Sequence, residues 1–186
     1  RGVEPANNDL VNHTAVADVL TVDAPSYAGS LMVAHADTAA VEVDIPFDGR
    51  FAISSNLVIG THAAAPGKLE LNRGLLSVGS FCQVAGNSIL NLNGGSFQIE
   101  GGDSAALVMD NTALMQIAGG LLQWKGNRIS DLDPLISSGA IRAVNGPTNM
   151  LSASWDASWT NGSNILFADY NDVSTGYTTL WAFEAE

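Results

Sequence analysis

Apolar and polar residues alternate in short runs along this chain, and between Lys68 and Lys125 one ten-residue pattern occurs three times. Leu69-Glu-Leu-Asn-Arg-Gly-Leu-Leu-Ser-Val78 returns as Leu90-Asn-Leu-Asn-Gly-Gly-Ser-Phe-Gln-Ile99 and again as Met115-Gln-Ile-Ala-Gly-Gly-Leu-Leu-Gln-Trp124. Each copy reads apolar-polar-apolar, a glycine corner, then apolar-polar-apolar, and the copies stand 21 and 25 residues apart. A period of two argues strands with one buried face, and the runs are too short for ordinary helices. Glycine at the corner supplies the positive φ that a sharp change of direction needs. Asn93-Gly94 taken alone is also a type I′ hairpin signal. The longer period argues instead for an array of stacked units.

Stacking the copies puts Leu69/Leu90/Met115, Leu71/Leu92/Ile117, Leu76/Phe97/Leu122 and Val78/Ile99/Trp124 in inward ladders, all of them apolar. Glu70/Asn91/Gln116 and Ser77/Gln98/Gln123 form the outward ladders, all polar. A register slip of one residue would turn every apolar side chain outward. The expected fold is therefore all-β, a parallel β-helix (β-solenoid) of roughly 21–25 residue coils. An antiparallel sandwich is the competing architecture.

The rest of the chain sorts around this array. Residues 1–15 read as an N-terminal extended arm, polar and Asn-rich, with one weak apolar pair at Leu10 and Val11. The solenoid is expected over 16–150, with short runs at Val19–Val22, Ser30–Val33, Val41–Ile45, Phe51–Ile53 and Leu57–Ile59. Phe51 and Ile53 are expected to pair with Leu69 and Leu71. Thr61–Gly67 reads as a bulging loop, and Gly101–Met109 as an insertion followed by a strand. Asp133-Pro134 predicts a helix start, with Asp133 as N-cap, Pro134 at the first position and Gly139 as the stop. Ala140–Val144 returns to strand. Residues 151–186 form an antiparallel, aromatic-rich C-terminal cap: seven of the thirteen aromatics fall between Trp155 and Phe183. Asn161-Gly162 marks a hairpin there.

Composition narrows the function. The chain has 186 residues, enough for one domain with a core, and is 46% hydrophobic but only 14% charged. Nineteen acidic against seven basic residues give a net charge of −12, so nothing neutralises the phosphates of a nucleic acid or an anionic membrane surface. No apolar run is long enough for a transmembrane helix. The single Cys82 cannot form an internal disulfide and reads as a buried thiol. A start at Arg1 rather than Met fits a mature, secreted protein, and a cloned fragment would look the same.

Candidate chemistry is sparse. A lyase of this architecture needs a Ca²⁺ cluster of outward carboxylates with a basic residue, and the best-aligned ladders offer only Glu70. A glycosidase needs paired acids. Asp131 and Asp133 flank Leu132, but Asp133 has the capping role. Asp169 and Asp172 lack calcium-loop spacing. His13, His35 and His62 stand far apart, with no second ligand at metal spacing. No catalytic, cofactor or metal residue is expected, and Ca²⁺ is the one cation the acidic balance makes worth testing.

The run Leu-x-Leu-Asn-Gly-Gly-x-Phe-x-Ile, followed by Ile117-Ala-Gly-Gly-Leu-Leu-Gln-Trp-Lys-Gly126, resembles repeats of secreted bacterial right-handed parallel β-helix proteins, the autotransporter-passenger and adhesin-like exoproteins. The closing Gly176-Tyr-Thr-Thr-Leu-Trp-Ala182 is similar to the last strand of such exoproteins. The resemblance covers residues 65–126 best. It implies a fold and an extracellular or cell-surface location; adhesins, structural proteins and polysaccharide enzymes all carry such repeats. Two functions are expected from it. One is a non-enzymatic structural subunit that self-associates into a filament or layer through strand edges and the arm residues Leu10 and Val11. The other is a carbohydrate-binding or adhesive module in which Trp155, Trp159 and Trp181 stack on a polysaccharide.

Overall fold

A computed structural model describes residues 10–13, 19–21, 25–33, 41–45, 49–61, 66–146, 155–161, 163–171 and 173–184, of which 10–13, 19–21 and 41–44 by backbone alone. The strands come in threes along the chain. β1 (Leu10–His13), β2 (Val19–Thr21) and β3 (Ser26–Ala28) are followed by β4 (Ser30–Val33), β5 (Val41–Asp44) and β6 (Arg50–Ile53). Next come β7 (Asn56–Ile59), β8 (Lys68–Leu71) and β9 (Leu75–Val78), then β10 (Phe81–Val84), β11 (Ile89–Leu92) and β12 (Ser96–Ile99). β13 (Leu107–Met109), β14 (Leu114–Ile117) and β15 (Leu121–Lys125) complete the fifth set. After them come α1 (Ile129–Ser137), β16 (Ile141–Ala143), β17 (Ala157–Asn161), β18 (Asn164–Asn171) and β19 (Tyr177–Glu184).

Each set lays one strand on each of three sheets. The first sheet runs β1-β4-β7-β10-β13, the second β2-β5-β8-β11-β14-β16, and the third β3-β6-β9-β12-β15-β19-β18-β17. Neighbours from successive sets pair in parallel. Among the described residues only the pairings made by β17, β18 and β19 are antiparallel, and these strands extend the third sheet beyond β15.

The ladders read from the sequence are the observed registers. Leu69, Leu90 and Met115 pair in line, as do Leu76, Phe97 and Leu122. All twelve inward residues are at most 1% exposed. Each such leucine or phenylalanine contributes on the order of 1.5–3 kcal/mol by leaving water. Polar side chains also bond between successive sets: on the outward face the Asn91 amide donates to Glu70 at 3.1 Å, and at the corners Asn93 donates to Asn72 at 2.9 Å. Ser77 departs from the outward pattern. It is buried, because Arg50 reaches across the face and donates to its hydroxyl at 3.3 Å.

Gly95 explains why the corner takes glycine. Its φ is +69°, and a Cβ there would lie 2.5 Å from the Gly74 carbonyl oxygen of the corner beneath. The corners stack as closely as the strands do.

Two sequence expectations are corrected. Phe51 and Ile53 pair with Leu76 and Val78, while Leu69 and Leu71 take Val41 and Val43. Three strands and their corners separate equivalent positions, so a partner lies a full set away and Leu69 is too near in sequence to Phe51. The helix begins at Ile129, with Arg128 as N-cap, and Asp133-Pro134 lies inside it. Arg128 forces the earlier start: its backbone N–H donates to Thr178 at 2.8 Å, its Nε donates to the Lys125 carbonyl, and its guanidinium pairs with Asp131 at 3.1 Å. Asp131 in the first turn also faces the positive end of the helix dipole. Gly139, at φ +80°, does end the helix.

The first nine residues of the arm, His35, His62, the centre of the 61–67 loop and residues 147–154 lie outside the described residues.

Candidate functional site

The two ends of the sheets differ, and the candidate residues fall on them. At one end β1, β2 and β3 are edge strands, each paired on one side only among the described residues. Leu10 and Val11 belong to β1, opposite Ser30 and Leu31 of β4. The arm expected to reach outward thus contributes a strand to its own sheet. Apolar-polar alternation was too faint over four residues to reveal this, and the strand forms because β4 offers it a partner. Tyr27, on the outer face of β3, is 56% exposed.

At the other end α1 takes the place of a first-sheet strand after β13. Leu132 is buried, and Ile129, Leu135 and Ile136 pack on the core. The outer face of the third sheet here is aromatic. Phe167 and Trp181 are paired residues on β18 and β19, and their neighbours Leu166, Ala168, Leu180 and Ala182 point into the core. Phe167 therefore faces outward, with Trp155 centred 4.5 Å away, Trp181 at 5.9 Å and Phe183 at 6.0 Å. Trp155 is 40% exposed, whereas Trp181 is 4% exposed and its indole N–H has no hydrogen-bond partner among the described residues.

The structure brings two of the three sequence-selected tryptophans together and separates the third. Trp159 lies on β17 opposite Leu166, on the inward side. Its indole N–H donates to Asp133 of α1 at 2.8 Å, fixing the ring against the helix. The four-residue spacing of Trp155 and Trp159 predicts a shared strand face, but Trp155 precedes β17 and turns to the opposite side to meet Phe167. Phe167 and Phe183 are the aromatic partners the sequence reading missed. Their period-two spacing from Ile165 and Trp181 was the available signal.

Several polar side chains elsewhere make contacts within the fold. Tyr177 donates to Glu100 at 2.6 Å, and Lys125 stands 3.8 Å from the same carboxylate. Burial, reinforced by Glu100, pushes the Tyr177 phenol up to about 12, so it stays protonated and latches β19 to the corner after β12. The Lys68 ammonium, 2.8 Å from Glu70, holds that carboxyl below its ordinary range against the opposing effect of burial, with help from Asn91. Cys82 is fully buried, which pushes its thiol up to about 12 and makes it a core residue. Among the described residues no three His, Cys, Asp or Glu side chains are grouped to hold a metal ion. No described helix is long and apolar enough to cross a membrane.

Comparison with known proteins finds no matching family model, no matching curated protein and no matching solved structure.

Proposed function

We propose that this chain is a right-handed parallel β-solenoid and a non-enzymatic, extracellular structural subunit that self-associates through its sheet edges. The pairing of every third strand in parallel, five sets deep, supports the solenoid reading. The resemblance of its repeats to those of secreted exoproteins supports the location.

One observation carries the assembly reading: among the described residues the third sheet ends in edge strands paired on one side only, with an exposed aromatic residue at each end. Tyr27 stands on β3, and Trp155 stands beside β17, whose outward positions are exposed. An unpaired edge is a template for another strand. Pairing β3 of one copy with β17 of the next continues the sheet across the boundary and buries both rings. Such a head-to-tail contact repeats without closing and gives a filament or a large ring. The net charge of −12 opposes the contact, so salt or Ca²⁺ promotes it by screening.

The test is light scattering with electron microscopy, across salt and Ca²⁺, on the protein and on Tyr27→Lys. The protein forms particles larger than a monomer as salt rises, and the lysine, a charge on the edge strand, prevents this. A protein that stays monomeric under every condition, or a Tyr27→Lys that assembles equally well, overturns the edge contact. Release of reducing or unsaturated sugar ends from polysaccharides would overturn the non-enzymatic reading.

A further inference from the structure

Two clefts of about 590 and 630 Å³ open on either side of the last turn of α1 and meet at Ser138, Gly139 and Arg142. Each lies in the range of roughly 300–1,000 Å³ typical of small-molecule sites. Joined, they make a groove running from Asn87 and Thr112 on one side to Thr160 and Asn161 on the other.

The lining has a definite chemistry. Trp159 offers an indole ring whose N–H is already spent on Asp133, so what is left for a ligand is apolar surface. Ile141 and Leu166, both buried, also line that cleft. Around it stand hydroxyl and amide side chains. Arg142 lies at the junction, exposed on β16 and without an ion pair among the described residues. Among the described residues the cleft holding Trp159 has no carboxylate in its lining, and the other has one, Asp110, which accepts from the Gly86 N–H at 2.9 Å, although the chain carries nineteen acidic residues against seven basic.

We propose that this groove binds a uronate-bearing polysaccharide. A sugar ring has an apolar face of C–H groups that packs on an indole, and an equator of hydroxyls that suits amide and hydroxyl partners. An aromatic plate with a polar rim matches both. The guanidinium at the junction matches a carboxylate in two-point geometry. Two clefts in line take a chain of sugars better than one sugar. The site is separate from the outward cluster of Trp155, Phe167 and Trp181, but through Trp159, Thr160 and Asn161 it shares β17 with the assembly contact.

The experiment is calorimetric titration with oligogalacturonate and with a neutral gluco-oligosaccharide of equal length. A chelator is present so that calcium cannot bridge the acidic protein to the acidic sugar. The expected result is binding of the uronate oligomer at least about tenfold tighter than the neutral one, the worth of a charge-assisted pair. Arg142→Gln, an exposed change, keeps the melting temperature and removes that preference. Trp159→Phe keeps an aromatic face and retains binding, whereas Trp159→Ala loses it. Binding of neither oligomer by the protein overturns the proposal. So does uronate binding that Arg142→Gln leaves unchanged, or a neutral oligomer bound as tightly as the acidic one.

Discussion

Replacing Leu92 with aspartate tests the inward ladder at its centre. Leu92 is fully buried, with Leu71 below it and Ile117 above it in register. Removing a buried leucine side chain costs about 2–5 kcal/mol even when alanine replaces it. A carboxylate there has no basic partner within the apolar ladder and adds several kcal/mol more. The total, about 5–8 kcal/mol, reaches the whole stability of an ordinary domain, about 5–15 kcal/mol. The assay is urea unfolding followed by the fluorescence of the four tryptophans, of which Trp124 is buried beside Ile99 in the neighbouring ladder. Leu92→Asp is expected to be largely unfolded at neutral pH. Gln98→Asp, on the outward face between Ser77 and Gln123, is expected to cost within about 1 kcal/mol. The pH dependence has a definite sign. Burial raises the introduced carboxyl's pKa in the folded state, so its deficit is smallest below the unfolded value and grows as pH rises through the folded one. Leu92→Asp should therefore recover part of its stability at acid pH relative to the unsubstituted protein. An unchanged melting temperature, or equal losses for the two variants, would refute the inward assignment.

Gly95→Ala should destabilise by at least about 2 kcal/mol, since φ is +69° and the added methyl meets the Gly74 carbonyl, while Gly102→Ala, in open space, should not. Thermal melts of the pair check this. Cys82, buried with its thiol pushed up to about 12, should resist aromatic disulfide reagents at pH 8 and react only as the protein unfolds; rapid native labelling would contradict the packing. Glu70 has a lowered pKa, so its contribution is present above the ordinary value of 4.5 and fades as pH falls through the folded one. Lys68→Met should flatten the acid limb of the stability curve by less than about 1 kcal/mol, as expected of a partly exposed pair, and an acid limb that keeps its slope would remove Lys68 as the cause.

What the sequence determined by itself was whatever repeats locally. Three copies of one alternating pattern state which side chains face inward, because a strand's period is two and a slip of one residue would expose them all. The glycine corners state where the chain turns, because few residues tolerate that backbone. The antiparallel pair β17 and β18 has its turn signal in the sequence as well, the dipeptide Asn161-Gly162. The tertiary structure decided what depends on partners distant in the chain. Leu10–His13 is a strand only because β4 lies beside it, and nothing within those four residues announces that pairing. Asp133-Pro134 has the local form of a helix start, yet Arg128, held by Thr178 from fifty residues away, begins the helix earlier. The tryptophans divide for the same reason: Trp159 is held by Asp133 across 26 residues, and Trp155 is turned over by Phe167. Local pattern sets the face a residue presents, but only packing between elements sets what that face meets.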